Sequence, residues 1–239
     1  MLVNADFSRR AAVVPHQYQW VASPQPGVER EMLDRLGGEK ARATSIVRYA
    51  PGSRFPRHPH PGGEEILVLA GTFSEGDAHY PAGWYMRNPP GSSHSPSSDE
   101  GAVLFVKLWQ MPQREGRSVR IDTRDTSCWT VHGGRASCLL FTDRTEHVSI
   151  ERLPAGARVC PGAVEGAEML VLEGALHEDG QQYQRGSWVR LPAGEFPGFV
   201  AGGAGATVYL KTGHLAGRAG LCCGCRGCRT ARGRGIGAP

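Results

Sequence analysis

The chain repeats itself, and the repeat constrains its fold more than any other feature. Residues 45–54 read SIVRYAPGSR, and residues 149–158 read SIERLPAGAR. Residues 65–71 read EILVLAG, and 168–174 read EMLVLEG. Residues 80–87 read YPAGWYMR, and 183–190 read YQRGSWVR. Val106-Lys107 finds its counterpart in Leu210-Lys211. Chance similarity between apolar strands explains any one of these matches, but not their common order at a nearly constant offset. The fold is therefore one that a single unit can build twice.

Each copy consists of short runs of Val, Ile, Leu and aromatic residues, such as 44–49, 66–69, 84–87 and 103–109, separated by Gly and Pro. No stretch carries a convincing helical period. This is strand-and-turn chemistry, and the even spacing predicts an all-β sandwich or small barrel per copy. The polar segment 112–120 (PQREGRSVR) reads as the link between copies. The expected organisation is a first domain over 1–112, a second over 121–215, and a Gly/Arg/Cys-rich tail over 216–239.

The basic overall charge of +4 comes from that tail. All 23 acidic residues lie at or before Glu195, while Arg218, Arg226, Arg229, Arg232 and Arg234 lie beyond residue 215. The 27 Lys and Arg residues less those five leave 22 in residues 1–215, a net of −1. A nearly neutral body is not a general nucleic-acid surface. The longest apolar runs are too short to span a membrane, and MLVNADFSRR lacks a secretory pattern. A cytoplasmic protein with Cys128, Cys138 and Cys160 as reduced thiols is expected. In the tail, Cys222, Cys223, Cys225 and Cys228 sit among Gly and Arg, a composition that predicts disorder.

Chemistry concentrates in the first copy. His58 and His60 are two apart, so on a strand both point the same way. Pro59 between them cannot donate to a ladder, which marks an edge or bulged strand. Pro61-Gly62-Gly63 turns the chain back, and Glu64 opens the returning strand. Another turn, Asn88-Pro89-Pro90-Gly91, delivers His94. Three imidazoles and one carboxylate can close around one divalent ion. Glu65, adjacent to Glu64, should face the other way and serve structure. Six other histidines (His16, His79, His132, His147, His177, His214) have no ligand spacing. In the second copy, Ala167 stands where Glu64 stands and Pro197 where His94 stands, while the histidine pair falls near Cys160-Pro161-Gly162-Ala163. That half reads as a scaffold without metal.

The two motifs resemble those of the cupin superfamily. G-x5-H-x-H-x3-E-x6-G is met by Gly52, His58, His60, Glu64 and Gly71. G-x5-P-x-G-x2-H-x3-N is met by Gly83, Pro89, Gly91 and His94, with Ser98 in place of the final Asn. The wording GGEEILVLxG with PAGWYxRNPPGSSH is similar to the ChrR-like cupins, over roughly residues 1–215. The resemblance implies two cupin (double-stranded β-helix, or jelly-roll) barrels in tandem, with one metal in the first. Zn or Fe(II) is the expected ion, with Mn, Ni or Cu compatible with the same ligands. It implies either a sensor or regulatory protein binding a small anionic or enolisable ligand, or an Fe(II)-dependent dioxygenase cleaving a diketone or hydroxy-aryl ketone. Homodimers are the family's habit. The ChrR anti-sigma factor carries a separate helical zinc domain that grips its sigma factor. Residues 1–40 are too short for such a domain and hold no cysteine, so a sigma-factor partner is not expected. Arg87, Phe55 and Trp84 are the candidate pocket residues for a ligand.

Overall fold

The computed structural model describes residues 1–216. It is all-β apart from two single-turn 3-10 helices, Pro15–Gln17 and Thr126–Cys128. Two large antiparallel sheets stand back to back. The first is ordered Leu2–Val3, Val28–Leu36, Arg42–Tyr49, Ala102–Leu108, Glu64–Glu75, Trp84–Asn88, Val119–Asp122. The second is ordered Trp129–His132, Arg135–Thr142, His147–Leu153, Val200–Thr212, Glu165–Glu178, Trp188–Ala193, Ala11–Val13. The order of the repeated segments is the same in both.

Strand alternation explains why the repeats read as they do. Along Glu64–Glu75, Ile66 and Val68 face an inner core with Tyr49, Phe73, Met86 and Leu104. Along Glu165–Glu178, Ala167, Met169 and Val171 face a second inner core with Leu176, Val189 and Val208. The alternate residues, Leu67 and Leu170 with Tyr85, Phe105, Trp188 and Tyr209, form a third core where the two sheets meet. Each strand is thus apolar on both faces, which is why it reads as a continuous hydrophobic run. The glycine closing each repeat is also explained. Gly71 and Gly174 have φ of +65° and +68°, and a Cβ there would lie 2.0 Å from the Gly101 carbonyl oxygen and 2.2 Å from that of Gly205. Any side chain would collide with backbone.

The ladders are not closed into barrels. Opposite the first sheet, His58–His60 pairs only with Ser92–His94, as a separate two-stranded ladder. Pro96–Ser98 pairs briefly with Ser53–Arg54 and with the end of Glu64–Glu75. Proline supplies the reason: Pro56, Pro59, Pro61, Pro89 and Pro90 remove ladder donors along this layer.

Two strands cross the expected domain boundaries. Val119–Asp122, split between the expected link and the expected second domain, extends the first sheet by pairing with Trp84–Asn88, Arg120 opposite Met86. Ala11–Val13, expected in the first domain, extends the second sheet by pairing with Trp188–Ala193. Each sheet thus ends on a strand from outside its own repeat. Both crossing strands are only three or four residues long, too short for a period to announce which sheet they join. The cysteine-bearing part of the tail lies outside the described residues. Among the described residues, no helix is long and apolar enough to cross a membrane.

The sheet–sheet core holds a crossed set of buried ion pairs. In register, Lys107 lies opposite Glu65, and Lys211 lies opposite Glu168. The side chains instead reach across. Lys107 pairs with Glu168, and Lys211 Nζ lies 2.8 Å from Glu65 Oε2 and 2.9 Å from Glu146 Oε2. Arg87 joins Glu65 at 3.3 Å and Glu146 at 2.6 Å, stacked on Phe141. Arg190, its counterpart, meets Asp34 at 3.4 Å and stacks on Phe7. Tyr209 donates to Glu65, and Trp188 Nε1 donates to Glu168 at 2.7 Å. Burial alone would raise the Glu65 carboxyl, but Lys211, Arg87 and Lys107 outweigh it and hold the group at about 2.

Two outcomes follow from this layer. Lys211→Met leaves the two buried carboxylates Glu65 and Glu146 with Arg87 as their one shared cation, so it should lower unfolding free energy by about 3 kcal/mol in urea titrations at neutral pH. Glu65 titrates lower when folded than the roughly 4.3 of an unfolded glutamate, so its contribution is complete above that value and lost as pH falls towards 2. Acid unfolding followed by tryptophan fluorescence should therefore set in below about pH 4 in the parent and at higher pH in Lys211→Met.

Candidate metal centre

The site begins with the isolated hairpin. His94 lies directly opposite His58, and Ser92 opposite His60. His58 and His60 share a face because they are two apart, and the pairing brings His94 onto it. The three rings stand with centroids 4.6 to 5.0 Å apart. One ligand nitrogen from each lies within 4.8 Å of the others, a group that can hold a metal ion. His60 Nε2 and His94 Nε2 are 2.8 Å apart. Two imidazole nitrogens bound at right angles to one ion would be separated by about 3 Å, so the spacing fits a shared cation.

Glu64 approaches from the adjoining sheet. Its Oε2 lies 3.4 Å from His60 Nε2 and 3.5 Å from His94 Nε2. It is 7 % exposed, and its partner outside the histidines is Asn88 Nδ2, which donates to Oε2 at 3.1 Å. Glu65 points to the sheet–sheet core, as alternation requires.

Hydrogen bonds set the tautomers. The Pro56 carbonyl can only accept, so His58 Nδ1, at 3.0 Å, donates to it and leaves Nε2 with a free lone pair. Glu75 likewise accepts from His94 Nδ1 at 2.5 Å. Carboxylate partners of this kind orient ligating imidazoles and raise their basicity. Burial tends to lower the His94 pKa, but the Glu75 hydrogen bond and the Glu64 charge outweigh it and raise it. For His60, burial wins over Glu64 and lowers the value.

Arg120 closes the outer ring. Its Nη2 donates to Asn88 Oδ1 at 2.6 Å and to Glu75 Oε2 at 3.0 Å, and its Nε lies 3.3 Å from the Tyr80 hydroxyl. One guanidinium thus braces the supports of both Glu64 and His94. Arg120 and Glu75 escaped the sequence reading. Neither has a motif spacing, and Arg120 arrives on a boundary-crossing strand.

The pocket candidates divide. Phe55 packs 5.6 Å from the His58 ring and 5.4 Å from Tyr49, beside the site. Phe73, not singled out from sequence, lies 6.0 Å from His94. Trp84 shares the inner face of its strand with Met86 and Asn88, four residues from the end that meets Glu64, and packs on Tyr80 at 5.2 Å. Arg87 does not face the site. It is fully buried between the sheets, because Asn88 takes the inward position beside it. In the second half, Val164, Ala167, Leu191 and Phe199 fill the interior, and no other cluster of His, Cys, Asp and Glu ligands forms among the described residues.

Residues 8–112 match the family described as the ChrR Cupin-like domain. No curated protein matches the chain. Among solved structures, a candidate dioxygenase from Nostoc punctiforme superposes with a TM-score of 0.71 at 13% identity, over 86% of this chain and 82% of that one. The Escherichia coli pirin YhhW, in complex with nickel(II), gives 0.63 at 16% identity, over 85% and 98%. A candidate glyoxylate-induced protein from Pseudomonas aeruginosa gives 0.64 at 19% identity, over 85% and 88%. At these identities the likeness establishes the cupin fold.

If Arg120 braces the site, Arg120→Ala should weaken metal binding by about 10- to 100-fold, read by competition with a chromophoric chelator, while the far-ultraviolet dichroism stays that of the parent.

Proposed function

From the match of residues 8–112 to the ChrR Cupin-like domain, we propose that the chain is a metal-dependent binding protein built from two cupin halves. The leading half holds one divalent ion through His58, His60, Glu64 and His94. The other half serves as its scaffold. The observation that carries this reading is the convergence of three histidine nitrogens within 4.8 Å, with hydrogen bonds that free Nε2 of His58 and His94.

The donor set suggests what is bound. Three neutral imidazoles and one carboxylate leave a divalent ion with a net charge near +1, which favours a small anionic ligand. When bound, the ion supplies a fixed positive charge at the floor of the inner core. The chain supplies the walls: Phe55, Phe73 and Tyr49 present rings around the histidines. Burial and the Glu64 charge push the Tyr49 hydroxyl far up, so it stays protonated and can donate to an anion. A sensor or regulatory role fits a site that binds without needing a free acid–base pair.

The second reading is an Fe(II)-dependent dioxygenase cleaving a diketone or hydroxy-aryl ketone. Aromatic walls around four mixed His/Glu ligands suit such substrates, and the candidate dioxygenase among the structural neighbours supports it.

Elemental analysis of protein from its native host, followed by oxygen-uptake assays on the Fe(II)-loaded form with enolisable ketones, separates the two. Zinc held near one per chain and no uptake with any ketone is the expected result; uptake would replace it with the dioxygenase. His94→Ala and His58→Ala should both lose stoichiometric metal, and metal contents equal to the parent's would overturn the ligand assignment.

A further inference from the structure

Cys128 and Cys138 stand apart from the metal centre and have no part in it. Their sulfurs lie 2.8 Å apart, well inside the separation at which two unbonded sulfurs rest. From this juxtaposition we infer that Cys128 and Cys138 form a redox-active dithiol that closes to a disulfide. Neither their spacing nor any motif announces it. The pairing of Trp129–His132 with Arg135–Thr142 places Trp129 opposite Cys138, and the 3-10 turn Thr126–Cys128 just before it folds Cys128 back over the same strand.

The two thiols have unequal roles. Cys138 is wholly buried, among Leu140, Phe141, Ile150 and Trp188. Cys128 is half-buried, with Sγ 3.0 Å from the Asp125 carbonyl oxygen. Burial first, and then the contact with Cys128, push the Cys138 thiol up. The half-buried sulfur is therefore the one an oxidant reaches, and the fully buried one resolves it. With a hydroperoxide as oxidant, the Cys128 thiolate attacks the near peroxide oxygen. The O–O bond breaks, the far oxygen leaves as water or alcohol after protonation, and Cys128 becomes a sulfenic acid. Cys138 then attacks that sulfur, the S–O bond breaks, and the hydroxide leaves with the Cys138 proton as water. Two thiols and one hydroperoxide yield one disulfide, with the peroxide as the species reduced.

The position gives the bond a consequence. Residues 123–128 connect the first sheet to the second. At one end, Thr123 holds the first sheet through Oγ1 to the Gly83 carbonyl oxygen at 2.6 Å. Trp129 Nε1 donates to the Thr123 carbonyl at 2.8 Å. A Cys128–Cys138 bond would fasten the other end to the interior of the second sheet, covalently pinning the connector that follows Arg120.

The test uses the full chain. Tryptic cleavage places Cys128 in residues 125–135 and Cys138 in residues 136–144, so the bond joins two distinct peptides. After mild hydrogen peroxide treatment and alkylation, these peptides should appear as one cross-linked species that reduction separates. Oxidation should raise the melting temperature by about 5 °C in the parent and leave Cys128→Ser unmoved. Should Cys138→Ser fail to fold, Cys128→Ser, altered at a half-exposed position, still supplies the control. Recovery of both peptides alkylated after peroxide would overturn the inference. So would Cys128 oxidised to sulfinic acid, or joined to another cysteine, while Cys138 stays alkylatable.

Discussion

The crossed pairs Lys107–Glu168 and Lys211–Glu65 are the constraint on which the rest of the molecule depends. A buried charge without its partner is among the costliest defects a core can hold. Each of these four groups finds its counter-charge on the opposite sheet, so the sheets can pack only in the orientation that brings both pairs together. The same pairing sets register within a sheet. Once Glu65 is committed to the sheet–sheet core, its neighbour Glu64 must face inward. A slip of one residue would turn Glu64 away from the histidines and present Glu65 to them. The position of the candidate ligand is thus decided by an ion pair on the other side of the strand.

The candidate metal centre is shared labour between a short motif and distant support. The hairpin bearing His58, His60 and His94 is held to the sheets by few backbone bonds, because proline interrupts its ladders. Its rigidity comes from side chains instead. Glu75 holds His94, Asn88 holds Glu64, and Arg120 holds both supports. Arg120 lies outside residues 8–112, the segment that matches the family. The centre is therefore complete only with a strand from the region between the repeats, just as the second sheet is complete only with Ala11–Val13. The two halves are interleaved rather than strung together.

Much of this was legible in the residues alone, and for identifiable reasons. Spacing by two along a strand is a local property, so His58 and His60 could be placed on one face without coordinates. Alternation separated Glu64 from Glu65. The repeat was visible because the residues that meet between the sheets, Glu65 and Glu168, Arg87 and Arg190, Lys107 and Lys211, sit at matching places in both copies. Arg87, a pocket candidate by sequence, lies instead in the buried ion pairs between the sheets, because its neighbour Asn88 takes the inward position beside Glu64. The dithiol was missed because ten intervening residues hide a contact made by one tight turn and one ladder.

By itself the sequence determined the all-β class, the duplication, and the three histidines that lie within reach of one cation. These follow from periodicity and turn chemistry, which act over a few residues. Tertiary structure alone decided which charge meets which across the core, that Arg120 braces the site, that each sheet borrows an edge strand, and that two cysteines touch. Those outcomes depend on chain segments that meet only when the two sheets pack, and pairwise contact between distant residues leaves no local pattern to read.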